Sequence, residues 1–235
     1  MSSALKLALE DLLRARRLQA DAPPLRGEDR RLAPLATGAA AVDGLLGGGF
    51  PRGQVSELQG PASSGRTGLA LSLAARSTSR GALVAWIDPG GRFDPASAAA
   101  AGADLARILW LRGDRHGEGP LAEVVAAVAT IVGSGLFEAV LLDLAGVSSH
   151  ALRRLPQTTW LRFQRMVEGS PQALLLLADG HVARSPGGVT VALRPSGALW
   201  SGAPGPGRLL RALGVEARAG RHALHAVSLE LHAFD

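Results

Sequence analysis

GPASSGRTGLALSLAA, residues 60–75, is the stretch on which the reading of this chain turns. Gly60, Gly65 and Thr67 stand at the spacing of a phosphate-binding loop, G-x-x-x-x-G-K-[ST], and Arg66 occupies the lysine position. An apolar run, QVSELQG (54–60), precedes the loop, and a helical pattern (65–75) follows it. That is the strand–loop–helix context such a loop requires. Backbone N–H groups around Ser63, Ser64 and Gly65 would form an anion nest, and the helix N-terminus adds its dipole. The two glycines allow backbone conformations that a side chain would forbid. Thr67 stands where a hydroxyl holds Mg²⁺. Further on, AVLLDL (139–144) places Asp143 at the end of a buried strand, where a carboxylate would steady that ion.

Outward from the loop the chain alternates strands and helices. GALVAWIDP (81–89), FEAVLLDLAG (137–146) and QALLLLAD (172–179) read as buried strands. PLAEVVAAVATIVGSG (120–135) and TTWLRFQRMVEG (158–169) read as helices. Apolar strands without alternation, separated by helices, predict an α/β fold with a mostly parallel sheet covered on both faces. After residue 187 the pattern changes. GVTVALRP (188–195), GVEARAGRHA (214–223) and HAVSLELHAF (225–234) suggest antiparallel strands closing one side, with SGAPGPGR (201–208) as a loop. Residues 3–18 form an amphipathic pattern in which Leu5, Leu9, Leu12 and Leu13 share a face, with Ser3 as a cap. This helix docks either on its own domain or on a neighbour. The expected organisation is a helix at 1–20, a linker rich in Pro and charge at 21–34, a core at 35–195, and C-terminal strands and tail at 196–235.

Composition narrows the classes. Hydrophobic residues make up 47% and charged residues 19%, which suits a globular chain. The longest apolar run, ALLLLA (173–178), is strand-sized, and the N-terminus lacks a signal-like apolar core, so no membrane span and a cytoplasmic location are expected. The chain has no cysteine, which excludes disulfides and thiolate metal sites. Lys6 is the one lysine among 25 basic residues, so codon bias toward arginine would also account for Arg66. The net charge is +5, and its largest surplus lies in residues 144–195. There Arg153, Arg154, Arg162, Arg165 and Arg184 surround Trp160 and Phe163. Arginines interleaved with aromatics hold single-stranded DNA by charge and stacking. The competing reading packs the aromatics under the helix and solvates the arginines. His222, His225 and His232 lack the spacing of a metal site, and Ser63 and Ser64 have no Ser-His-Asp context.

Residues 36–67, ATGAAAVDGLLGGGFPRGQVSELQGPASSGRT, resemble the entry to the recombinase RecA core: T-G, an apolar-Asp pair, L-G-G-G-x-P-x-G, a strand, then the loop. The resemblance continues through AWIDPGGRFDP (85–95), AVLLDL, LLLLADG and SPGGVTVALRP, and so covers about 35–195. Short length, the amphipathic N-terminal helix and a degenerate site resemble the ImuA family, RecA-like accessory proteins of bacterial error-prone translesion synthesis. The resemblance implies a RecA-like fold and a role in SOS mutagenesis beside an ImuB-like Y-family protein, RecA and an error-prone replicative-type polymerase. It also makes Leu5, Leu9, Leu12 and Leu13 candidate contacts to a partner or a second copy, with the tail from Leu209 as another.

The departures matter as much. The family's catalytic glutamate falls on Gly90, its sensor glutamine falls on Gly180, and both DNA loops, 145–157 and 180–188, are trimmed. Loss of a general base costs on the order of 10²–10⁴ in rate, and a misplaced phosphate clamp roughly 10² more. The loop amides, Thr67 and Asp143 remain. The expectation is therefore ATP with Mg²⁺ bound weakly or not at all, with slow hydrolysis at most, by Asp88, Asp94 or Asp179. Two rival readings stand: a DNA-stimulated ATPase that remodels a RecA or polymerase partner, and a simple basic DNA-binding module.

Overall fold

The computed structural model describes residues 3–19, 33–113, 121–183, 188–220 and 226–232. An N-terminal helix α1 (Ser3–Gln19) precedes a short helix α2 (Ala40–Leu45). The alternating part follows: β1 (Gln54–Gln59), α3 (Arg66–Thr78), β2 (Val84–Asp88), α4 (Pro95–Ala100), β3 (Ile108–Arg112), α5 (Leu121–Ser134), β4 (Ala139–Asp143), α6 (Ser149–Arg153), α7 (Thr158–Val167) and β5 (Ala173–Ala178). Three long strands end it: β6 (Thr190–Ser201), β7 (Leu209–Ala219) and β8 (Ala226–His232).

All eight strands form one sheet in the order β3-β2-β4-β5-β1-β6-β7-β8. Strands β3 through β6 in that order are parallel neighbours, and the β6–β7 and β7–β8 pairs are antiparallel. The sheet is the expected mostly parallel α/β sheet with an antiparallel edge. Successive strand residues point to opposite faces, so each parallel strand feeds two cores. Leu175 and Leu177 of β5 pack with Leu69 and Leu73 of α3 on one face. Leu174 and Leu176 pack with Val128 and Ile131 of α5 and Phe163 of α7 on the other. Strand β1 lies between β5 and β6, so the loop that leaves it opens at the middle of the sheet.

The approach to β1 is held by local bonds. Leu35 and Phe50 exchange both backbone hydrogen bonds, at 2.7 and 2.8 Å. The Asp43 carboxylate accepts from the Thr37 N–H (2.7 Å), the Thr37 hydroxyl (2.8 Å) and the Gly38 N–H (3.2 Å), which fixes the T-G turn to α2. Gly49 has φ +133°, and a Cβ there would sit 2.1 Å from the Leu35 carbonyl oxygen. No other residue fits that crossing.

Several expectations need correction. Leu9 and Leu13, offered as partner contacts, are buried in the chain's own core beside α5 residues. Residues four apart stack on one helix stripe, and that stripe turns inward; Leu12 is exposed, and the Leu5 side chain lies outside the described residues. The domain boundary expected at 195/196 falls inside β6, where the β6–β7 register shifts between Pro195 and Gly197. The segment from Leu209 is a paired strand rather than a tail. Trp160 and Phe163 are buried with rings edge to face, centroids 5.9 Å apart, so they offer no stacking platform. Elements α2, α4, α6 and β3 were not expected. Arg184, His222, His225 and most of the 21–34 linker lie outside the described residues.

Candidate nucleotide site

The loop between β1 and α3 has the backbone of an anion cradle. The Gly60 N–H donates to the Ala178 carbonyl (3.2 Å), which ties the loop's start to β5. Ser63 has φ +60° and Gly65 has φ +88°, so the chain reverses hand twice before α3 starts at Arg66. The Ser64 N–H donates back to Pro61 (3.2 Å), and the Leu69 N–H donates to Gly65 (2.9 Å). Thr67 is exposed at the first turn of α3. The Ser64 hydroxyl is buried with no hydrogen-bond partner among the described residues, an orphaned polar atom inside the cradle. A nest of N–H groups at a helix start, with a spare hydroxyl and an exposed threonine, suits a phosphate group.

Arg66 does not face that cradle. Its side chain is 8% exposed, and Nη2 donates to Asp179 Oδ1 at 2.7 Å. Its Nη1 is buried without a partner among the described residues. Asp179 Oδ2 accepts the Gly146 N–H (3.1 Å). One carboxylate at the end of β5 thus joins the loop's cation to the segment after β4. The sequence reading placed the polar sensor position at Gly180, an exposed glycine; the side chain that reaches the loop is Asp179, one residue earlier.

Asp143 stands where expected, buried at the end of β4. Burial pushes its carboxyl up to about 6, the nearby Asp88 carboxylate adds to this, and the Ala145 N–H, Arg66 and Arg92 oppose it. The other acids are occupied. Asp88 accepts from the Arg92 N–H (2.9 Å), the Phe93 N–H (2.8 Å) and Trp110 Nε1 (3.2 Å), which shapes the turn after β2. Asp94 caps α4, and its bonds to the Ser97 hydroxyl and N–H hold its carboxyl below the usual range. Gly90 lies in that turn with the Arg92 side chain against it, where a Cβ would come 3.3 Å from Arg92 Nε. None of the three acids weighed as substitutes for a general base is unengaged.

The arginines form a second surface. Arg153 and Arg154 end α6, Arg162 and Arg165 lie on α7, and all four are exposed. Between α6, α7 and the loop after β5 runs a cleft of about 390 Å³, lined by Leu152, Arg153, Trp160, Leu161, His181 and Val182 among others. Beneath it sits Glu57, a buried acid of β1 that the sequence reading passed over. It accepts from His181 Nδ1 (2.5 Å), from the Val182 N–H (3.2 Å) and from the Ala183 N–H. The signal was present: a lone glutamate in an apolar central strand must find donors.

The sheet, the loop and the carboxylate at the end of β4 now bear comparison with known proteins. The RecA N-terminal domain family model matches residues 24–152. Protein RecA of Rubrobacter xylanophilus is 39% identical over 115 residues, 48% of this chain and 32% of the relative. Protein RecA of Lactobacillus delbrueckii subsp. bulgaricus is 34% identical over 116 residues, 49% and 34% of the two chains. Protein RecA of Chlorobaculum parvum is 39% identical over 110 residues, 46% and 30%. The chain therefore spans about a third of the length of the curated relatives it matches. The matched stretch contains the turn onto Asp43, the loop at 60–67, Asp88 and Asp143, and the chain belongs to the RecA N-terminal domain family.

Proposed function

We propose that this chain is a RecA-like accessory protein of DNA damage tolerance, which acts in translesion synthesis through protein contacts. In this reading it holds ATP weakly and hydrolyses it poorly. The observation that carries the reading is the Arg66–Asp179 pair. A loop cation spent on an internal carboxylate is withdrawn from the β- and γ-phosphates. Gly90 supplies no base, and Asp88, Asp94 and Asp179 are each committed elsewhere.

The amides of residues 63–67 would hold a phosphate group, and the Thr67 hydroxyl with Asp143 would support Mg²⁺, which supplies charge neutralisation. The partners of this reading are an ImuB-like Y-family protein, RecA and an error-prone replicative-type polymerase. The exposed arginines at 153, 154, 162 and 165 are its contacts to single-stranded DNA.

The test is a titration of the purified chain with a fluorescent ATP analogue, together with phosphate-release assays with and without single-stranded DNA. Turnover far below about 1 s⁻¹, unchanged by DNA, is expected. A rate near 1 s⁻¹ or above, typical of enzymes, would establish the DNA-stimulated ATPase instead. The adaptor role predicts binding to the ImuB-like protein of the same genome that survives Thr67→Ala. Loss of that binding with the variant still folded would refute it.

A further inference from the structure

The β6–β7 hairpin runs past both of its neighbours. Strand β1 pairs with β6 only as far as Ala192, and β8 pairs with β7 only from Ala212, so among the described residues the stretch 200–201 with 209–211 is a two-stranded ribbon. A ribbon of two strands is marginal in water, and this one carries apolar side chains on both faces. Leu199 is 57% exposed, Trp200 43%, Leu209 60% and Leu210 39%. The register pairs Trp200 with Leu210 and Ser201 with Leu209. Cross-strand partners share a face, so Trp200 and Leu210 make one apolar patch while Leu209 lies on the other side.

The charge of the arm is one-sided. Residues 196–215 contain Arg208 and Arg211 and no Asp or Glu. The Arg208 guanidinium lies over the Trp200 ring, 5.4 Å from its centroid, beside the Trp200–Leu210 patch. Arg211 Nε donates to the Ser201 hydroxyl (2.8 Å). Exposed tryptophan and arginine are among the residues that anchor protein interfaces.

We infer that the tip of the β6–β7 hairpin is a docking surface for an acidic amphipathic segment of a partner protein. Its apolar side would cover Trp200 and Leu210, and its carboxylates would meet Arg208, which borders that patch. A second copy of this chain fits less well, because it would bring the same two arginines to the same place. Nucleic acid also fits less well, because three of the four exposed apolar residues are leucines, which offer no ring face to a base.

Fluorescence anisotropy of the whole chain with a fluorescein-labelled, 18-residue helical peptide tests this; the peptide has leucine at i, i+3, i+4 and i+7 and glutamate elsewhere. Expected are saturable binding, at least tenfold weakening by Trp200→Ala and by Arg208→Glu, and no comparable binding of the same peptide with lysine for glutamate. Both variants are checked by thermal melting, and Leu105→Ala, an exposed leucine just before β3 at the opposite edge of the sheet, should bind as the parent does. Equal binding of the lysine peptide, or no binding of the glutamate peptide, overturns the inference. So does capture of a dT20 oligonucleotide that Trp200→Ala abolishes, or a dimer in sedimentation that Trp200→Ala converts to monomer.

Discussion

A guanidinium needs a flat seat and two acceptors, and Arg66 finds one of them on Asp179 while Nη1 is buried with no partner among the described residues. Removing one partner of such a pair strands the other, so the informative change keeps the shape: Asp179→Asn. The variant should bind an ATP analogue about tenfold tighter, or about 1.4 kcal/mol, because Arg66 is released toward the cradle; a calorimetric titration reads it. Unchanged or weaker binding would mean that the pair does not restrain the loop. Asp143 makes a second prediction. Burial pushes its folded carboxyl up to about 6, above the ordinary aspartate value of 3.8. The folded state then binds the proton more tightly than the unfolded state does. The favourable contribution is full below pH 4 and is lost as pH rises through about 6. Asp143→Asn should flatten the fall in stability between pH 4 and 7, and should raise stability at pH 7.5, by roughly 1–3 kcal/mol. Urea melts across that range measure it.

Helix α1 was legible as a helix, and the side it presents was not. The apolar periodicity allowed two fates, and α5 decided between them by offering a groove to Leu9 and Leu13. Leu9→Ala or Leu13→Ala should cost about 2–5 kcal/mol by urea denaturation, whereas Leu7→Ala, on the exposed side, should stay within about 0.5 kcal/mol. Strand β3 was not legible because ILWLR offers only four apolar residues between two arginines, with a short turn separating it from the alanine-rich α4. The hairpin was split at 195 because Pro195 and Gly197 interrupt the alternation, although the strand continues through them with a shifted register. The long apolar strands β4 and β5 needed no tertiary help, being buried on both faces from end to end.

Over the whole molecule, what could be read was local and what could not was distant. The loop and Asp143 follow from spacing. The partner of Arg66 lies 113 residues away and depends on β5 lying beside β1. Glu57 and its donors at 181–183 are linked the same way. The strongest such dependence is at Gly65. A Cβ there would meet Leu231 Cδ1 at 2.5 Å and Val215 Cγ2 at 2.9 Å, so β7 and β8 lie directly against the cradle. Gly65→Ala should destabilise the fold by about 1–3 kcal/mol, or roughly 2–10 °C in Tm, with partial rescue by Leu231→Ala; differential scanning calorimetry reads both. The same contact bears on how the protein is made. A ribosome that has emitted the chain as far as residue 200 has delivered the loop and its helix, yet the side chains seated against Gly65 are still to come. The loop must wait for strands that follow it far along the chain, and the nascent protein acquires a finished cradle only once β7 and β8 have emerged.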